Sequence, residues 1–258
     1  MSGLLQIDGL SVQIGQQTVC EGLELAIRPS QSWALLGRNG AGKTTLLHCL
    51  AGLRAAGHPG KILLGGSELQ TLSARERARQ IAVLLQHSSR GFGASVLETV
   101  LSGRHPHLSP LAWEGATDLA IAQRYIAALD LDPLADRSLA TLSGGELRRV
   151  EIARLLTQQG RLSLLDEPLN HLDLAYQAGC LRALSANCVS DKRAMLMVLH
   201  DLNIAFRACD HWLILDGRGS WHAGPRHALA DTALLSAVYG HPIRRVDTDD
   251  GPLFAARL

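Results

Sequence analysis

The nine residues "GRNGAGKTT" (Gly37–Thr45) fit the pattern G-x-x-x-x-G-K-[ST]. The apolar run "WALLG" (Trp33–Gly37) precedes them, and helical patterning over Thr44–Leu50 follows and stops near Gly52. A strand, a glycine turn and a helix in that order leave few folds open. Gly37, Gly40 and Gly42 free the backbone so that successive N–H groups, including those of Arg38, Asn39, Ala41 and Thr45, can turn inward on a phosphate. A helix beginning near Lys43 adds its positive end. Lys43 is placed to reach β- and γ-phosphate oxygens, and the Thr44 hydroxyl to ligate Mg²⁺.

Other segments supply the strands this loop requires. "IAVLLQ" (Ile81–Gln86), "LSLLDEP" (Leu162–Pro168) and "AMLMVLHD" (Ala194–Asp201) are compact apolar runs that end in polar residues, which suits strands buried on both faces of a parallel sheet. Ligands of such sheets bind at the carboxyl ends of the strands. "LSLLDEP" therefore delivers two carboxylates beside the phosphates: Asp166 to hold Mg²⁺ and Glu167 to orient and deprotonate an attacking water. Alternation of Leu5, Ile7, Leu10, Val12 and Ile14, interrupted at Gly9 and "GQQ", predicts short antiparallel strands at the start. Ser73 and Glu76 predict a capping box, and Leu119, Ala122, Ile126 and Leu129 recur at helical spacing. Residues 87–156 thus read as a helical subdomain inserted into an α/β core.

Composition excludes several alternatives. With 258 residues, 47% hydrophobic content and a net charge of +1, the chain can bury a full core but offers no basic footprint, so no nucleic-acid partner is expected. "MSGLLQIDGL" has no basic leader and meets Asp8 early, and no apolar run approaches the roughly 18–20 residues of a membrane span, so a cytosolic chain is predicted. Cys20, Cys49, Cys180, Cys188 and Cys209 lack C-x-x-C spacing and read as reduced, buried thiols.

A second glycine turn, "LSGGE" (Leu142–Glu146), opens another helix. Ser143 and Glu146 have capping-box spacing, yet Ser143 with Gly144 and Gly145 at a helix start also makes an anion site. Two phosphate-binding ends for one nucleotide are reconciled if two copies meet head to tail, each closing over the ATP held by the other in a C2 dimer. "GRNGAGKTT", "LSGGE" and "LSLLDEP" in one chain resemble the ATP-binding cassette ATPases, and the resemblance spans essentially all of residues 1–258 as a single nucleotide-binding domain. It implies an α/β fold: a P-loop NTPase (RecA-like) core, an N-terminal antiparallel β subdomain and the inserted helical subdomain.

That likeness also implies roles the residues alone do not give. "LSGGE" becomes the signature motif, acting in trans. Gln86 matches the glutamine that senses Mg²⁺ and water, Asp173 in "NHLD" the aspartate that crosses the dimer interface, and His200 the switch histidine at the γ-phosphate. One departure stands out: where the family stacks adenine on an aromatic ring, this chain offers Ile14. "VLETVLSGRHPHLS" and "LLSAVYGHPI" resemble the branch serving haem, cobalamin and ferric siderophores, haem foremost. His105 and His107 in "RHPH" need not touch cargo. The implied partners are a second copy, a permease dimer docking near Gln86 and the helical subdomain, and indirectly a periplasmic binding protein, at the cytoplasmic face of a bacterial inner membrane. An exporter ATPase with a separate permease would share every catalytic residue and is the main rival. ABC ATPases acting on DNA or ribosomes carry coiled-coil insertions or paired cassettes, which are absent from this sequence.

Overall fold

The computed structural model describes residues 3–55, 60–86, 93–109, 111–249 and 251–257. Strands β1 (Leu5–Ile14) and β2 (Gln17–Ile27) form an antiparallel hairpin. The sequence suggested several short strands here; instead β1 runs unbroken, because Gly9 adopts a φ of 63° and the register shifts between Ile7 and Leu10. Then follow β3 (Ser32–Gly37), α1 (Lys43–Leu50), β4 (Lys61–Leu64), β5 (Ser67–Glu68), α2 (Ala74–Gln80) and β6 (Ile81–Leu84). The Ser73–Glu76 box that starts α2 is formed in both directions.

Three α-helices, α3 (Val96–Leu101), α4 (Ala116–Ala128) and α5 (Gly144–Gln158), occupy the chain before β7 (Leu162–Asp166). His87, where the predicted helical segment begins, lies outside the described residues. On α4, Ala122 and Ile126 are buried as their spacing requires, whereas Leu119 is 36% exposed on the rim of that stripe. The chain continues through α6 (Leu174–Cys188), β8 (Ala194–Val198), α7 (Leu202–Ala208), β9 (His211–Leu215) and β10 (Trp221–Pro225). It ends with α8 (Arg226–Leu229), α9 (Thr232–Tyr239) and the hairpin of β11 (Ile243–Thr248) and β12 (Gly251–Ala256).

A six-stranded sheet, ordered β10-β9-β3-β8-β7-β6, is parallel except at the β10 edge. Every residue of β3, β7 and β8 is buried, as suits their largely apolar runs, with Ser32, Ser163 and Asp166 buried alongside. Alternate side chains serve two cores. Ala34, Leu36, Leu165 and Met197 join a cluster with α3–α6 and Trp212. Trp33, Leu35, Leu164 and Leu196 join another, with α1 and the four-stranded antiparallel sheet β2-β1-β4-β5. With both faces covered, the carboxyl ends of β3, β7 and β8 remain the open edge. All five cysteines are buried and unpaired, and burial pushes the thiols of Cys20, Cys180 and Cys188 up to about 11. Among the described residues no helix is long and apolar enough to cross a membrane.

Candidate functional site

Two glycines in the β3–α1 turn are dictated by space. A Cβ on Gly37 would lie 2.5 Å from the Leu215 carbonyl, and one on Gly42 2.4 Å from Val19 Cγ2. Both also have positive φ, 144° and 89°, a region that disfavours side chains. Gly42 occupies the N-cap of α1 and no side chain caps that end, so its first amides are available to a ligand. The Gln17 amide, from the start of β2, donates to Gly40 O at 2.7 Å and ties the hairpin to the loop.

This turn borders a cleft of about 500 Å³ lined by Ile14, Asn39, Gly40, Gly42, Lys43, Thr44, Thr45, Gln86, Glu167 and His200. Lys43 is buried, and its ammonium donates to Gly37 O at 2.8 Å and Arg38 O at 3.0 Å. Burial lowers its pKa, against the pull of Glu167 and Asp166. An anionic phosphate in the cleft would favour the charged form. Arg38 and Gly37 line the adjoining cavity, while Ala41 is packed into the core.

Asp166 ends β7 with no exposed surface, and neither carboxylate oxygen has a hydrogen-bond partner of ordinary geometry. Its pKa is raised, first by burial and then by the neighbouring Glu167 charge, with the Thr44 hydroxyl opposing. A buried, unpaired carboxylate beside a threonine hydroxyl is the donor set of a hard, oxygen-seeking cation, so these residues fit Mg²⁺. No cluster of three or more His, Cys, Asp or Glu is placed to hold a metal among the described residues. A cation here would take its remaining ligands from phosphate and water.

Glu167 sits in the left-handed region at φ 48°, which for a side-chain-bearing residue costs roughly 1–2 kcal/mol. Surrounding bonds hold it there. Its Oε1 meets His200 Nε2 at 2.5 Å, and its Oε2 accepts from Gln86 Nε2 at 3.1 Å and from Asn170. Burial alone would raise its pKa, but the His200 contact, helped by Asn170 and Gln86, brings it below the ordinary glutamate value. The carboxylate is thus ionised at neutral pH. His200 follows β8 and precedes Asp201, whose carboxylate caps α7 at the amides of Asn203 and Ile204.

Ser143 caps α5 with both bonds of the predicted box, Ser143 N to Glu146 Oε2 at 2.7 Å and Glu146 N to Ser143 Oγ at 3.3 Å. Ser143 and Gly144 are exposed, and Asp173 is exposed as the cap of α6. None of Ser143, Gly144, Gly145 or Asp173 lines the cleft of its own chain. His105 pairs with Glu114 at 3.1 Å, and His107 bonds the Gln158 carbonyl at 2.7 Å.

Sequence reasoning missed Arg148. Its buried guanidinium donates to the carbonyls of Leu85, Asp166, Glu167 and Pro168 at 2.6–3.2 Å and pairs with buried Glu151 at 2.8 Å. One side chain of α5 thereby fixes the end of β7, the backbone of Glu167 and the residue before Gln86. The signal was available: Arg148, Ile152 and Leu155 share one helical stripe, and a cation on a buried stripe demands acceptors. Asn170 was missed as well.

A family model described as ABC transporter matches residues 20–170. A hemin import ATP-binding protein of Pseudomonas entomophila is 41% identical, the match covering 92% of each chain. A cobalamin import ATP-binding protein of Halobacterium salinarum is 34% identical over 90% of this chain and 58% of its own length. The inward-facing structure of a metal-chelate type ABC transporter superposes with a TM-score of 0.83 at 26% identity, covering 99% of this chain and 98% of the other.

Proposed function

The chain belongs to the ABC transporter family as an ATP-hydrolysing subunit, and we propose that it powers the import of a metal chelate, haem before cobalamin or a ferric siderophore. The observation that carries the mechanism is convergence: Lys43, Thr44, Gln86, Glu167 and His200 face one cleft, with unpaired Asp166 buried next to Thr44 and Glu167.

ATP enters with its β-phosphate on the amides of residues 38–45, and Lys43 turns from the loop carbonyls to the β- and γ-oxygens. Mg²⁺, held by Thr44, Asp166 and Gln86, would neutralise the phosphate charge when bound. Glu167 accepts a proton from water as the water oxygen bonds to the γ-phosphorus and the bridging P–O bond breaks, giving ADP and phosphate. His200 holds Glu167 in place and is near enough to the same site to stabilise the transferring phosphoryl group.

Closure needs a second copy. Ser143 Oγ accepts from its own helix and so keeps its O–H to donate, and the first-turn amides of α5 lack intrahelical acceptors. Ser143 and Gly144 are exposed, Gly145 is half-buried, and all three are absent from the cleft of their own chain, which supports their meeting the γ-phosphate of a partner copy. Asp173, exposed at the cap of α6, would lie at the same interface. ATP then favours the closed dimer to the extent that it binds that state more tightly, and hydrolysis reopens it.

The permease would receive this motion near Gln86 and the helical subdomain. Beside that subdomain lies an apolar hollow of about 570 Å³, lined by Arg75, His105, Leu108, Leu111 and Trp113. Leu111 is fully exposed and Trp113 is 90% exposed, apolar surface of the kind a docking helix covers. Docking of this kind would put the subunit on the cytoplasmic face of a bacterial inner membrane. The test is reconstitution with the permease and a periplasmic binding protein loaded with haem, cobalamin or a ferric siderophore. Haem-loaded protein should stimulate ATP turnover most. Equal turnover with empty and loaded binding protein would remove the import assignment.

A further inference from the structure

Beyond residue 170 the chain returns to the cleft. Helix α9 ends at Tyr239 and is stopped by Gly240 in the left-handed conformation. Ser236 fixes this end, donating to Thr232 O at 2.5 Å and accepting from Ile243 N at 2.9 Å. The β11–β12 hairpin then folds back on α7. Phe254 exchanges two backbone bonds with the Asn203 side chain, at 2.7 and 3.2 Å, and its ring packs among Phe206 and Trp212. All of this holds α9 without calling on the Tyr239 hydroxyl.

Tyr239 lines a cavity of about 510 Å³ with Gly37, Arg38, Asn39 and His200, on the flank of the phosphate loop. The helix end abuts that loop: a Cβ on Gly240 would come within 3.1 Å of Arg38 Nη1. The Tyr239 hydroxyl is buried beside the Gly37 backbone, yet it makes no hydrogen bond of ordinary geometry among the described residues. Burial pushes the phenol up to about 12, with Gly37 pulling the other way and the Asp201 charge adding to the rise. A buried hydroxyl without a partner is unfavourable, and a phenylalanine would fill the same space without that cost. The Gly37 group that faces the hydroxyl is the N–H, since it lowers the phenol pKa, and no bond of ordinary geometry to it is formed in this arrangement of the loop, in which the Lys43 ammonium holds the Gly37 carbonyl at 2.8 Å.

We propose that Tyr239 is a positioning residue of the phosphate loop: when phosphate draws Lys43 away from the Gly37 carbonyl and the loop resettles, the tyrosine hydroxyl accepts from the Gly37 N–H and holds the loop in its binding form. The C-terminal segment thereby acts on nucleotide affinity through a group that touches neither base nor phosphate. This rests on the nucleotide assignment of the cleft made above.

The test is Y239F in the full chain, read by thermal unfolding with and without Mg·ATP, calorimetric titration with Mg·ATP, and ATP turnover. Without nucleotide the variant should melt at the same temperature as the parent or higher. Its Kd for Mg·ATP should weaken by about three- to tenfold, the worth of one hydrogen bond, with kcat within about twofold of the parent. An affinity within about 1.5-fold of the parent, or a lower melting temperature without nucleotide, would overturn the proposal, since the hydroxyl would then be idle or merely structural. A parent chain that binds no Mg·ATP would remove the cleft assignment itself; a binding parent with an equally tight Y239F removes only the role of Tyr239.

Discussion

Replacing Arg148 with alanine strikes the fold and the site through one side chain. The guanidinium is 5% exposed and satisfies carbonyls from the β6 exit, the β7 end and the following turn, together with the Glu151 carboxylate. Truncation strands a buried charge on Glu151 and unpairs the carbonyls. Removing one partner of a buried ion pair costs about 3–5 kcal/mol. For a chain of this size each kcal/mol lowers Tm by about 2–4 °C, so R148A should melt about 6–20 °C below the parent. R148K should recover little, because an ammonium cannot serve acceptors spread across a planar fork. The double variant R148M/E151L should recover part of the loss by removing the stranded charge. Thermal unfolding checks the stability figure. ATP turnover well below the melting range checks the site, because Glu167 loses the bond that holds its left-handed backbone. R148A melting within about 2 °C of the parent would refute the reasoning, since that allows less than about 1 kcal/mol for the whole network.

Three further outcomes follow from the same geometry. E167Q keeps the shape of the site but removes the proton acceptor, so it should bind Mg·ATP normally and lose about 10²–10⁴ in turnover, measured by phosphate release. D166N should abolish turnover yet raise the Tm measured without nucleotide at neutral pH, because it removes a buried carboxylate that has no partner. The sign follows from a folded-state pKa raised above 3.8: the penalty is full above the raised value and vanishes below 3.8, so the Tm gap between D166N and parent should close as pH falls toward that value. I14Y places a ring where the cleft has only an aliphatic wall and should tighten ATP by about 0.5–1.5 kcal/mol, up to roughly tenfold in a titration; unchanged affinity would mean the base does not lie there.

The phosphate loop and the β7 carboxylates were legible because their chemistry is written over a few consecutive residues whose spacing is set by one turn or one strand end. The capping boxes at Ser73 and Ser143 were legible for the same reason. Interactions between distant segments were not. Arg148 reaches carbonyls 18 to 63 residues away, and nothing local to α5 says which ones. Asn170 could be read as a turn residue, and its bond to Glu167 depends on the left-handed turn between them. Gly9 misled because a glycine that interrupts alternation can end a strand or absorb a bulge, and the cross-strand register decides which. Tyr239 lies in a stretch read only for its family likeness, and its approach to Gly37 exists only after α9 folds back over the core.

Closure depends on two copies sharing each nucleotide, and sedimentation velocity of E167Q against E167Q/S143R, each with and without Mg·ATP, tests that sharing most directly. E167Q should pass from monomer to dimer on adding Mg·ATP, and the double variant, with an arginine filling the space meant for the partner's γ-phosphate, should remain monomeric while still binding nucleotide. Equal dimerisation of the two proteins would place Ser143 away from the nucleotide and contradict the shared site.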